Sequence, residues 1–260
     1  MIDLSYENRF GGLARLYGPG VLARLRRSQV TVVGLGGVGS WAVEALARSG
    51  IGHLTLIDLD DVCATNTNRQ LPALDPEWGR LKAEVLADRV VRINPDCEVR
   101  VVADFVTARS APRLLEPSGD RPQVVIDAID SLADKAALVQ ACLELGLPVL
   151  VCGAAGGRSD PTQVRYSDLG RTQRDPLLKS LKKSLKARGL SPDPQGLWGV
   201  EGVFSLEAAV MPWEVCSSVP RPDEGGSARI DCADGYGSSA FATGTFGLTL
   251  ASRAVARLLR

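Results

Sequence analysis

The chain has 260 residues, 45% of them hydrophobic, and its 30 basic and 30 acidic side chains cancel. That length fits one large α/β domain, or one domain with an appended subdomain, and the zero balance confines any nucleic-acid contact to a local patch. Six scattered cysteines (Cys63, Cys97, Cys142, Cys152, Cys216 and Cys232) form no CxxC pair, and Met1 to Phe10 carries Asp3, Glu7 and Arg9 but no apolar signal core, so a cytoplasmic protein with reduced thiols is expected.

In chain order, Tyr6 to Leu16 and Val21 to Arg27 read as two short helices separated by Gly18-Pro19-Gly20. Thr31-Val32-Val33 is a β-branched run suited to a buried parallel strand. It breaks at Gly34-Leu35-Gly36-Gly37-Val38-Gly39, a G-x-G-x-x-G spacing, and a helix follows through Trp41, Val43 and Leu46. A second strand, His53 to Ile57, ends in Asp58. Strand, glycine turn, helix and strand with a terminal acid make a mononucleotide-binding βαβ unit. Its glycines (Gly34, Gly36, Gly37 and Gly39) let backbone approach a phosphate, and the helix N-terminus offers N–H groups to it. Beyond Asp58 the loop gathers Asp60, Asn66, Arg69 and Gln70, with Lys82 soon after. A dinucleotide site needs none of these.

Gly79 to Ile93 has helical apolar spacing and stops at Asn94-Pro95. Glu98 to Val102 is a strand, and the turn Asp104-Phe105-Val106 at its end is placed to hold a base. Val124 to Ile126 is a central strand running into Asp127-Ala128-Ile129-Asp130. Ser131 to Leu145 is a helix, and Pro148 to Val151 a further strand. The pattern predicts a doubly wound, Rossmann-like, mainly parallel α/β sheet with helices on both faces. Thr162 to Tyr166 alternates and is expected to begin an antiparallel extension.

The helix Asp175 to Arg188 puts Leu177, Leu178, Leu181 and Leu185 on one face and Lys179, Lys182, Lys183 and Lys186 on the other. Residues 191–202 and 211–226 read as long loops, and the chain ends in a helix expected to dock on the sheet, with peripheral membrane contact left open. One unit is expected: N-terminal helices over residues 1–28, a nucleotide-binding half over 29–157, and an extension over 158–260 with the basic helix, mobile loops and C-terminal helix.

The pattern GxGGxGS … DxDxVxxxNxxRQ … K … DAID resembles the ThiF/MoeB superfamily of ubiquitin-activating-like adenylating enzymes. Within it, RFGGLARLYG, DDVCATNTNRQ, VIDAIDS, DPTQ and DCADGYG are similar to the bacterial tRNA threonylcarbamoyladenosine dehydratases, over nearly the whole chain. The resemblance implies ATP and Mg²⁺ as cofactors and tRNA bearing N6-threonylcarbamoyladenosine, at position 37, as substrate. It also implies a homodimer in which Arg9 reaches the partner's triphosphate, and leaves room for a cysteine desulfurase or sulfur-acceptor system as a further partner.

Adenylyl transfer needs a held sugar, charge neutralisation along the triphosphate and a metal. Asp58 suits the ribose, while Asn66, Arg69 and Lys82 suit the phosphates. Asp130 suits Mg²⁺, Ser131 lies beside it, and Lys135, one turn into the next helix, is expected to add a contact. The lysine face from Lys179 to Lys186 offers phosphate contacts to RNA, although a solvated amphipathic helix explains the pattern equally well. Cys232 is the thiol to watch, with a structural role preferred for it. A sulfur-carrier adenylyltransferase would share the ATP site. An NAD-dependent oxidoreductase would leave Asn66, Arg69, Lys82 and Asp130 unexplained, and the single His53 denies it the commonest proton partner.

Overall fold

A computed structural model of the chain describes residues 5–116, 121–215 and 236–260. Two N-terminal helices, α1 (Tyr6–Tyr17) and α2 (Val21–Arg26), precede β1 (Gln29–Val33), α3 (Gly39–Arg48) and β2 (His53–Ile57). Next come α4 (Lys82–Ile93), β3 (Glu98–Val102), α5 (Ala111–Leu115), β4 (Val124–Asp127), α6 (Leu132–Glu144) and β5 (Val149–Cys152). Then follow β6 (Val164–Asp168), α7 (Pro176–Ala187), β7 (Glu201–Ser205), α8 (Pro212–Val215) and α9 (Ala240–Leu258).

The seven strands form one sheet in the order β3-β2-β1-β4-β5-β7-β6. All pairings are parallel except β6 with β7, so the expected antiparallel extension is present at one edge. The sheet departs from expectation in its sixth parallel strand. Residues 201–205, the first two of which fall in the stretch 191–202 read as loop, form β7 and insert between β5 and β6.

Alternation along each strand divides the core between two faces. Val30, Val32, Leu54, Leu56, Val124 and Ile126 pack with Leu46, Leu86 and Phe246 on one side. Val33, Ile57, Val125, Val149 and Val151 pack with Leu138, Leu178, Leu181 and Leu185 on the other. Both faces of the central strands are therefore dry, as parallel sheets require.

The strand order turns back between β1 and β4, and the crevice beyond the carboxyl ends of these strands is where doubly wound sheets bind ligands. The N-terminal helices sit at the opposite edge. Tyr6, near the start of α1, donates from its hydroxyl to the carbonyl of Gly50, just before β2 begins. By contrast, α9 lies against the glycine turn. A Cβ on Gly247 would collide with the Val38 carbonyl and with Trp41, and one on Gly37 would come within 3.2 Å of Thr243. Small residues on both elements permit this approach. Among the described residues no helix is long and apolar enough to cross a membrane.

Candidate active site

The glycine turn is held from two sides. Gly34 adopts φ +84°, and a Cβ there would stand 2.8 Å from the carbonyl carbon and oxygen of Ala128, so only glycine fits. Asp58 completes the grip: its Oδ2 accepts the Leu35 N–H at 2.6 Å and its Oδ1 the Asp60 N–H at 2.8 Å. Burial raises the Asp58 carboxyl above the ordinary aspartate range, against the pull of these two donors. The acid expected at a ribose therefore also fixes the turn. Each oxygen keeps a further lone pair for a sugar hydroxyl.

The loop after β2 is pinned to the start of α4 by backbone bonds from Val62 N to the Arg80 carbonyl and from Lys82 N to the Asp60 carbonyl. This brings Lys82 Nζ to 2.8 Å from Asp60 Oδ2, with the lysine side chain 7% exposed and the aspartate 65%. Helix α4 begins at Lys82 rather than Gly79, because Leu81 is taken up in a β-bridge with Asp61. Asn66 sits in a one-turn helix, and its carbonyl accepts from the backbone N–H groups of Arg69 and Gln70. The Arg69 guanidinium donates to the Thr65 carbonyl and to Asn68 Oδ1, and Trp41 Nε1 donates to the Arg69 carbonyl.

Asp130 and Ser131 are exposed at the end of β4, and the Ser131 hydroxyl does not cap α6. Among the described residues no three His, Cys, Asp or Glu side chains converge to hold a metal. Asp130 fits the other arrangement Mg²⁺ favours, one carboxylate completed by substrate phosphates and water.

Lys135 is not where the sequence placed it. Its amine has no solvent exposure and lies 2.7 Å from the equally buried Asp127 Oδ2. Its side chain points back to Asp127 in the sheet rather than out to the crevice, so Lys135 offers no exposed atom to a ligand there. The signal in the sequence was a lone lysine at the head of the apolar run AALV. Gln70, given no role from sequence, is buried beside Gly36. A Cβ on that glycine would meet its Nε2 at 3.7 Å, and its Oε1 has no hydrogen-bond partner among the described residues.

One strand further on, α7 matches the expected basic helix. Asp175 caps it by accepting from Leu178 N at 2.9 Å, with Pro176 in the first turn. Leu178, Leu181 and Leu185 are buried, and Leu177 is only half-buried. Lys179, Lys183 and Lys186 are exposed, whereas Lys182 folds back to the Thr172 carbonyl and hydroxyl, and burial lowers its pKa. Three lysines, not four, therefore form the open face.

Burial pushes the thiols of Cys97 and Cys152 up to about 12, and that of Cys142 higher still. Cys63 is exposed in the nucleotide loop, where a hydrogen bond from Thr65 lowers its pKa. Cys232 lies outside the described residues.

Arg9 is exposed on the first turns of α1, at the strand edge opposite the glycine turn.

The ThiF family model matches residues 10–259. The tRNA threonylcarbamoyladenosine dehydratase of Haemophilus influenzae is 45% identical over 98% of this chain and 95% of its own. The Escherichia coli enzyme of that name is 45% identical over 100% of this chain and 96% of its own. Among solved structures, the E. coli dehydratase TcdA in complex with ATP superposes with a TM-score of 0.86 at 43% identity, covering 99% of this chain and 96% of that one. With the family model spanning nearly all of its length and such relatives matching it end to end, the chain belongs to the ThiF family.

Proposed function

We propose that this chain is an ATP-dependent tRNA threonylcarbamoyladenosine dehydratase that activates the threonyl carboxylate as an acyl-adenylate and closes it into a ring. One observation carries the reading. Asp58, the Lys82–Asp60 pair, Arg69 and Asp130 all stand at the carboxyl ends of β2 and β4 or in the loops leaving them, in a chain that matches two dehydratases end to end.

The nucleotide lies along this edge. Leu59, Phe105 and Leu132, exposed just beyond β2, β3 and β4, offer apolar surface to the adenine. Asp58 accepts from the ribose. The glycine turn and the N-terminus of α3 face the phosphates. Arg69 and Lys82 neutralise charge on the departing pyrophosphate, the lysine exchanging Asp60 for a phosphate oxygen. Asp130 would hold Mg²⁺, which supplies charge neutralisation across the phosphates when bound.

The threonyl carboxylate oxygen attacks the α-phosphorus and pyrophosphate leaves. The carbamoyl group of the same side chain then attacks the activated carbonyl and AMP leaves, so the nucleoside loses one water overall. An internal nucleophile has a high effective concentration. This step asks only that the protein hold the chain folded and exclude water, and it needs no cysteine.

Arg9 acts on the triphosphate of the partner subunit in a homodimer. Its own glycine turn lies at the far strand edge, which supports the assignment across subunits. Lys179, Lys183 and Lys186 bind tRNA phosphates.

The test is ATP consumption with and without tRNA bearing threonylcarbamoyladenosine, with products read by mass. AMP, pyrophosphate and a nucleoside lighter by one water are expected. AMP formed only with a Gly-Gly-tailed carrier protein would move the chain to sulfur transfer.

A further inference from the structure

Lys135 and Asp127 have no part in the chemistry above, yet they are the most deeply buried ion pair described, with both side chains fully enclosed. Asp127 closes β4. Its Oδ1 accepts the Ile129 N–H at 3.0 Å while its Oδ2 takes the Lys135 amine, so both oxygens are directed. The residues between them do two things. The Ala128 N–H bonds the Val33 carbonyl at the end of β1, and the Ala128 carbonyl forms the wall against which Gly34 turns. The next residue after Ile129 is Asp130.

A second buried acid stands one strand away. Asp175 holds Ala154 N at 3.0 Å and lies 3.8 Å from the buried Arg158. The Lys135 amine loses hydration by burial, but Asp127 and Asp175 more than restore its preference for the charged form.

Two apolar residues would fill the space without desolvating charge. They would give the Ile129 N–H no acceptor and leave the turn free to choose another path.

We propose that the Asp127–Lys135 pair is a positioning device: it fixes turn 127–130, which walls the glycine turn at Gly34 and delivers Asp130 to the triphosphate. Lys135 is thus a positioning residue and touches no substrate atom. The inference rests on the assignment of Asp130 to the triphosphate.

The experiment compares Lys135→Met, the double variant Asp127→Asn/Lys135→Gln, and Asp130→Asn in the full chain. The readouts are turnover, thermal melting, tRNA affinity and calorimetric affinity for a non-hydrolysable ATP analogue with Mg²⁺. Lys135→Met is expected to lower kcat by roughly ten- to a hundredfold, the scale of a misplaced catalytic group. It should weaken the analogue and leave tRNA affinity unchanged. The double variant keeps an acceptor for Ile129 and an amide–amide bond across the gap, so it should recover to within about threefold of the wild type. Wild-type kcat in a folded Lys135→Met would overturn the proposal. A double variant as impaired as the single would do the same, by showing that the lysine charge itself acts on the nucleotide. Failure of both to fold would assign the pair to the fold alone. Full activity in Asp130→Asn would instead remove the assignment of Asp130, an outcome separate from the other three.

Discussion

Two lysine–aspartate pairs stand near the ends of β2 and β4, on either side of β1, with nearly equal separations, 2.8 Å for Lys82–Asp60 and 2.7 Å for Lys135–Asp127. They differ in what surrounds them. Asp60 is largely in water, so a phosphate can displace it from the Lys82 amine at little desolvation cost. Neither member of the second pair meets solvent, and exchanging a partner there would strand a buried charge. On the proposed reading, the first pair is broken by a ligand and the second holds position. Chemical type and distance alone do not separate these two lysines; exposure of the counter-ion does.

The strongest test of this contrast removes the exchangeable side. Lys82→Ala is expected to lower adenylation by about a hundred- to a thousandfold, the range for removing one donor from developing charge, and Asp130→Ala to fall within an order of magnitude of it. Asp130 is exposed, so its variant should melt with the wild type. Pyrophosphate release and a thermal scan together decide the matter, and a large melting loss in Asp130→Ala would count against its role at the triphosphate.

Mixing inactive Arg9→Ala with inactive Lys82→Ala asks whether the site draws on two chains. Random pairing restores about one quarter of the sites, and activity that stays at zero after subunit exchange would refute the shared site.

A smaller effect is expected on the open face of α7. Reversing Lys179, Lys183 and Lys186 should weaken tRNA binding and reduce the salt slope by about 0.7–0.9 for each phosphate that is no longer neutralised. Reversing Lys182, which is bonded to Thr172, should act mainly on stability. Filter binding across a salt series distinguishes the two.

The smallest effect concerns pH. Burial raises the Asp58 carboxyl, so as pH falls it loses its charge sooner than an ordinary aspartate near about 3.9. Its folded-state value lies above the unfolded one, so its ionised form opposes folding and protonation relieves that opposition. ATP affinity should therefore decline on acidification while this group's own contribution to the melting temperature rises, as nucleotide titrations beside thermal scans would register. Asp58→Asn should flatten that decline.

The sequence was most legible where chemistry is local. β2 and β3 occur over the expected residues, and α6 begins and ends one residue inside the stretch read for it. The cap Asp175-Pro176 marked the start of α7 because capping involves neighbours in the chain. The expectations that missed depend on distant partners. β7 opens Glu201-Gly202, poor strand formers, and is stabilised by β5 on one side and β6 on the other. Glu201 is further held by Arg253 and Arg257 of α9. Lys182 belongs to a lysine pattern consistent with exposure, and only the packing of α7 beside Thr172 sets it apart, whereas Lys135 is a lone lysine before an apolar run whose burial depends on Asp127 in the sheet.

The close seating of α9 on α3 bears on when the protein becomes competent. The glycine turn and its helix are made early, but Gly37 rests against Thr243, and Asn68 bonds the Ser238 carbonyl, at the head of the last helix. A nascent chain still lacking α9 has the phosphate-binding motif without its backing. A chain ended before α9 is therefore expected to bind ATP more weakly than the full chain, which calorimetry on the two would check.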